Sequence, residues 1–97
     1  MLGVIASVKV QEGKTEEFEA VISALASAVK ANEPDCTTFQ VCKVRNAPGE
    51  YKILEVYASK DAFKAHAKSA HFTDAVPKME ATFAQPMGVE ILEGLGG

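Results

Sequence analysis

A carboxylate set among apolar and aromatic neighbours, followed by two imidazoles, is the part of this 97-residue sequence that looks chemical. Glu55 stands in Ile53-Leu54-Glu55-Val56-Tyr57, and the imidazoles follow in Ala62-Phe63-Lys64-Ala65-His66 and Ser69-Ala70-His71-Phe72. An ionised carboxylate is rarely buried without a partner, so a Glu on such a strand calls for one. If Glu55 points from its sheet toward the helix bearing His66, it orients that imidazole, which then serves as a general base near neutral pH. The competing reading is that the two groups simply hydrogen-bond each other or the backbone to close the core. His71 lies five residues beyond His66 and so falls off that helical face; it either caps the next helix or lines the mouth of a pocket. Phe39, Tyr51 and Tyr57 supply an aromatic wall for a planar substrate, with ordinary core packing as the alternative for each. Ser7 offers a hydroxyl to the same substrate. Phe63, Phe72, Met79 and Phe83 recur at helical spacing and read as core, with Phe72, next to His71, also a candidate substrate contact.

The elements that must hold these groups can be read from periodicity. Leu2, Val4, Ala6, Val8 and Val10 alternate with Gly3, Ile5, Ser7 and Lys9, giving a strand with one apolar and one mixed face. Phe18, Val21, Ile22, Leu25 and Val29 form one helical stripe over Thr15 to about Asn32. Glu16 and Glu17 in its first turn and Lys30 in its last suit the helix dipole. Pro34 ends it by steering Glu33 out of the α region. A second strand covers Cys36 to Arg45, with Thr37, Phe39 and Val41 on one side. The turn Asn46-Ala47-Pro48-Gly49 leads to a third strand, Glu50 to Ala58, paired antiparallel with the second. Ser59 caps a helix reaching about Lys68, and Asp61 lies in its first turn. A further helical segment carries Phe72, Val76, Met79 and Phe83, with Pro77 expected near its first turn. Gln85 to Glu93 is a last strand with Met87, Val89 and Ile91 on one side, and the tail 94–97 has little to hold it.

The order β-α-β-β-α-β is that of a ferredoxin-like α+β fold, a four-stranded antiparallel sheet with its helices on one face, here as a single domain over residues 1–97. Both sheet faces are substantially apolar, with Leu2, Val4, Val8 and Val10 opposing a face that also holds Ile5, and Leu54 and Val56 opposing Ile53 and Tyr57, so sheet-to-sheet homodimerisation is expected. With 47% hydrophobic residues the chain is too apolar for disorder, and no run approaches the roughly 20 apolar residues of a membrane span. The N-terminus reads directly as a strand and not as a signal peptide, which suggests a cytoplasmic protein. A net charge of −3 with interspersed signs gives no case for nucleic acid or an anionic membrane. Cys36 and Cys42 share one strand roughly 20 Å apart, beyond disulfide reach, and no cysteine–histidine cluster has zinc spacing. No metal or cofactor is expected.

The segments Leu2-Gly3-Val4-Ile5-Ala6, Glu33-Pro34-Asp35-Cys36, Phe39-Gln40-Val41 and, above all, Glu55 to Phe72 resemble the antibiotic biosynthesis monooxygenase family. That resemblance covers nearly the whole chain and implies a dimeric α+β barrel with a pocket in each subunit between helices and sheet. It also implies oxidation of phenolic or quinol substrates by O₂ without metal or flavin. Asp35 departs from the Gly usual after the Pro. Haem-degrading relatives carry an Asn, a Trp and a haem-ligating His where this chain has Ser7, His66 and Val76, so haem binding is not expected. The reading is a monooxygenase of small aromatic or quinol-like molecules, with Glu55 and His66 catalytic and Ser7, Phe39, Tyr51, Tyr57, His71 and Phe72 contacting substrate. Two alternatives remain. One is an isomerase of a small phosphorylated metabolite, for which Lys52, Lys60 and Lys64 are available but no glycine-rich anion loop is present. The other is a small-molecule binder that does no chemistry.

Overall fold

The computed structural model describes residues 1–96 and contains β1 (Leu2–Lys9), α1 (Thr15–Asn32), β2 (Cys36–Lys43), β3 (Glu50–Tyr57), α2 (Lys60–Lys68), α3 (Ala70–Glu80) and β4 (Gly88–Glu93). Residue 97, the end of the expected loose tail, lies outside the described residues. The strands form one antiparallel sheet in the order β2-β3-β1-β4, the ferredoxin-like arrangement read from the sequence. No helix among the described residues is long and apolar enough to cross a membrane.

Side-chain alternation decides what each sheet face sees. Val4 pairs with Glu55 and Ala6 with Ile53, and these residues, with Val8, Tyr51 and Tyr57, are buried beneath the helices. Their neighbours Ile5, Ser7, Lys52, Leu54 and Val56 project from the opposite face. From α1, Phe18, Ile22, Leu25 and Val29 complete the core at spacings of four, three and four; Ala75 and Met79 reach it from α3. The β2–β3 turn needs two left-handed residues, Asn46 (φ 62°) and Gly49 (φ 81°).

Three local expectations change. Register slips between Cys36 and Thr38, so Thr37 is an extra, bulged residue and Cys36 instead joins Phe39 and Val41 on the inner face. Pro77 lies late in α3 instead of in its first turn, because Ser69 starts the helix earlier by accepting from the Phe72 N–H at 3.3 Å. Its missing N–H deprives only the Thr73 carbonyl, and the helix ends one residue after Met79. Phe83 therefore lies beyond α3, in an isolated bridge with Val10.

Candidate active site

Glu55 and His66 border one cavity between the sheet and the helical layer. It holds about 80 Å³ of free space, and its walls come from β1, β2, β3, α1, α2 and α3, with Met87 and, from β4, Val89. Glu55 and His66 are its only charged or strongly polar side chains; Phe39, Phe63, Phe72 and Met79 are among the apolar remainder. Each position follows from local chemistry. Glu55 shares the inward phase of β3 with Ile53 and Tyr57. His66 sits in the last turn of α2, which starts where the Ser59 hydroxyl accepts from the Ala62 N–H at 3.1 Å. That helix stops at Ser69, whose hydroxyl donates to the His66 carbonyl at 2.7 Å.

The imidazole of His66 is caged by aromatic rings: Phe72 lies 4.7 Å away between centroids, Tyr57 5.4 Å and Phe39 5.9 Å. Its orientation is fixed by a carboxylate, but not the expected one. Glu33, not Glu55, accepts from His66 Nδ1, at 2.9 Å. A carboxylate only accepts, so Nδ1 carries the proton in this contact and Nε2 is the nitrogen left bare in the neutral ring. The same Glu33 oxygen meets Nε2 of His71, so one carboxylate bridges two imidazoles. The five-residue spacing does not separate the histidines, because the chain breaks at Ser69 and each ring approaches Glu33 from its own helix.

Glu55 has a different partner: the Tyr57 hydroxyl donates to its Oε1 at 2.6 Å. Burial pushes the Glu55 carboxyl above its ordinary value, against the opposing pull of the Tyr57 hydrogen bond and of the nearby His66. Burial, reinforced by Glu55, pushes the Tyr57 phenol far up, so it stays a donor. Burial also raises the Cys36 thiol, with the charges of Glu33 and Glu55 adding to the effect, which leaves it a poor nucleophile.

The remaining candidates divide. Phe39 and Phe72 line the cavity, Tyr57 backs it through Glu55, and His71 opens instead onto a separate cleft with Leu25, Ala28 and Asp74. Tyr51 shares the inner face but lies four residues from Glu55, about 13 Å along the strand. There its ring meets Phe18 and its hydroxyl donates to Glu19; burial and that carboxylate push its pKa to about 12. Ser7 lies across the sheet from the cavity, because Ala6 and Val8 take the inward phase; Lys52 Nζ donates to its hydroxyl at 2.9 Å. Glu33 was missed as a site residue in the sequence, where it reads as the pre-proline end of α1 and as part of one segment of the family resemblance. One signal was present: a carboxylate at a helix C-terminus opposes the dipole, so it needs a local reason to be there.

The model of the antibiotic biosynthesis monooxygenase family matches residues 1–78, and the chain belongs to that family. A Caulobacter crescentus structure, provisionally named an antibiotic biosynthesis monooxygenase, is 42% identical, with a TM-score of 0.95 over 98% of this chain and 90% of its own. A Nitrosomonas europaea structure under the same provisional name superposes at 0.90 with 23% identity, covering 99% of this chain and 100% of its own. A Mycobacterium tuberculosis protein superposes at 0.90 with 21% identity, over 99% and 96%. The last two share the fold. No curated protein matches the chain in sequence.

Proposed function

We propose that this protein is a cofactor-independent monooxygenase of a small phenol or quinol, acting as a homodimer joined through the sheets. The observation that carries this reading is an apolar cavity with two ionisable side chains, one an imidazole held by a carboxylate on its far nitrogen. In this mechanism Glu33 fixes the tautomer and His66 Nε2 takes the phenolic proton. The resulting phenolate is electron-rich enough to reduce O₂. For a phenol with a free para carbon, one oxygen atom replaces the ring hydrogen as a quinone carbonyl and the other leaves as water. Substrate itself supplies the four electrons, so no other reductant enters the balance. Glu55, steadied by Tyr57, faces the para carbon and holds the oxygen installed there, while Phe39 and Phe72 hold the faces of the ring. The free space is smaller than the roughly 150 Å³ that holds a benzene. Met79 and Met87, unbranched and soft, are the side chains that re-pack to admit the ring.

An oxygen electrode with a panel of phenols, hydroquinones and naphthols tests the reading. One O₂ is consumed per substrate, and one atom of ¹⁸O₂ enters the product. His66→Ala lowers kcat by roughly 10²–10⁴-fold, the range of a positioned general base. Glu33→Gln slows turnover less and leaves KM near that of the wild type. Turnover that proceeds equally well without oxygen, or that survives His66→Ala intact, rules the mechanism out.

A further inference from the structure

The cluster that holds His66 forms a donor set beside the cavity, and two of its three members, Glu33 and His71, do not line that cavity. We propose that Glu33, His66 and His71 form a binding site for a first-row divalent transition metal of the Zn²⁺ class. The three side chains come from separate elements: Glu33 caps the C-terminus of α1, His66 ends α2 and His71 opens α3. Each is fixed by its backbone. The Glu33 N–H is tied to the Val29 carbonyl at 2.8 Å, and Ser69 clamps the junction between the two histidine-bearing helices.

His66 Nδ1, His71 Nε2 and a Glu33 oxygen all lie within 4.8 Å of one another. Two imidazole nitrogens bound to one tetrahedral Zn²⁺ at about 2.1 Å stand about 3.4 Å apart, so the rings close by up to about 1.4 Å to share a cation. Glu33 now fills the space between them and swings aside to become the third ligand. Two imidazoles and one carboxylate select Zn²⁺, Co²⁺ or Ni²⁺ over the hard cations Mg²⁺ and Ca²⁺, which prefer all-oxygen shells. The three groups are withdrawn from bulk water, His66 almost wholly, so the set is not a chance surface pairing. The cleft beside His71 and Asp74 gives a cation access to the His71 side of the cluster. A cation on Nδ1 requires the other tautomer, in which the neutral ring's single proton sits on Nε2. The metal-bound state and the proton-accepting state of His66 are therefore alternatives, and the metal would silence the base instead of assisting it.

The test is titration calorimetry of the untagged protein with ZnCl₂, with CoCl₂ as a spectroscopic probe. One Zn²⁺ binds per chain, Co²⁺ gives the visible bands of a low-coordinate nitrogen–oxygen site, and Mg²⁺ and Ca²⁺ give no heat. His71→Asn and Glu33→Gln, each checked for a cooperative melt, bind Zn²⁺ roughly 100-fold more weakly, at least the scale on which even outer partners of metal ligands count. Should either variant fail to fold, ¹⁵N shifts in the wild type take over: Zn²⁺ must move His66 Nδ1 and His71 Nε2 and spare their other ring nitrogens. Absence of one-to-one binding, equal binding of Ca²⁺, unaltered affinity in a folded variant, or shifts on the wrong nitrogens overturns the proposal. Each readout is independent of turnover, so failure here leaves the oxygenase reading standing, and the converse also holds.

Discussion

Glu33 and Glu55 are acidic side chains drawn out of water, and they have different partners. Glu33 has two imidazole donors, whereas Glu55 has one phenol donor and shares an otherwise apolar cavity with His66. The residue types at Glu55 and His66 could be singled out in sequence because a carboxylate and an imidazole on apolar elements are anomalous wherever they occur. Which carboxylate meets the imidazole could not be read. That pairing depends on where α1 ends relative to α2 and α3, a long-range distance that no spacing encodes. A stability consequence belongs to Glu55. Its pKa in the folded chain is raised above the ordinary value near 4.5, so the folded state keeps the proton over a pH range where the unfolded chain has lost it. The contribution of this group is therefore complete below that ordinary value and is lost as pH climbs through the raised one. Melting of the wild type across a pH series should show this decline, and Glu55→Gln should flatten it. Tyr57→Phe, which removes the hydrogen bond that lowers the Glu55 pKa, should extend the decline to higher pH. Parallel curves for wild type and Glu55→Gln would assign the pH dependence to another group.

Elements were legible where a period of two or 3.6 ran uninterrupted, as in β1, β3 and α1, and the end of α2 near Lys68 was read too, but the phase at Thr37 and the start of α3 relative to Pro77 were misread. The bulge at Thr37 and the helix break at Ser69 are both single-residue events. A bulge leaves no mark in composition, and Ser69 was noticed only as part of a run between two histidines. Ser69 nevertheless serves two helices at once, accepting from the Phe72 N–H to start α3 and donating to the His66 carbonyl to finish α2. Ser59 performs only the first kind of task, for α2. Ser59→Ala should therefore cost about 1 kcal/mol, an ordinary N-cap loss, and Ser69→Ala about 2 kcal/mol, measured by urea denaturation. Equal costs would mean that the bond to the His66 carbonyl adds nothing. The β2–β3 turn is a separate point of strain. At Gly49 a Cβ would meet the Val10 carbonyl oxygen at 2.9 Å in a left-handed conformation, so Gly49→Ala should lower the melting temperature and Asn46→Gly should not.

At the scale of the whole molecule, the sheet has one face under the helices and one without cover. The uncovered face carries Ile5, Val56, Leu54 and Leu92, the last two 40% and 41% exposed. Exposed apolar groups gathered on a single flat surface are costly for an isolated chain, and a second copy of the same sheet buries them without any new chemistry. In the proposed dimer these residues form the centre of the interface, with the Lys52–Ser7 hydrogen bond on the same face. This gives Ser7 a role other than substrate contact, consistent with its lying across the sheet from the cavity. Leu54→Lys puts a charge in the middle of that apolar surface, and in a two-fold dimer centred there two such lysines would face each other. Light scattering on a sizing column should give twice the chain mass for the wild type and the single-chain mass for Leu54→Lys. Lys64→Glu, which changes a charge on α2 instead of the sheet, should remain dimeric. A wild-type protein that elutes at the single-chain mass at high concentration, or a Leu54→Lys variant that stays paired, would require a different cover for this face.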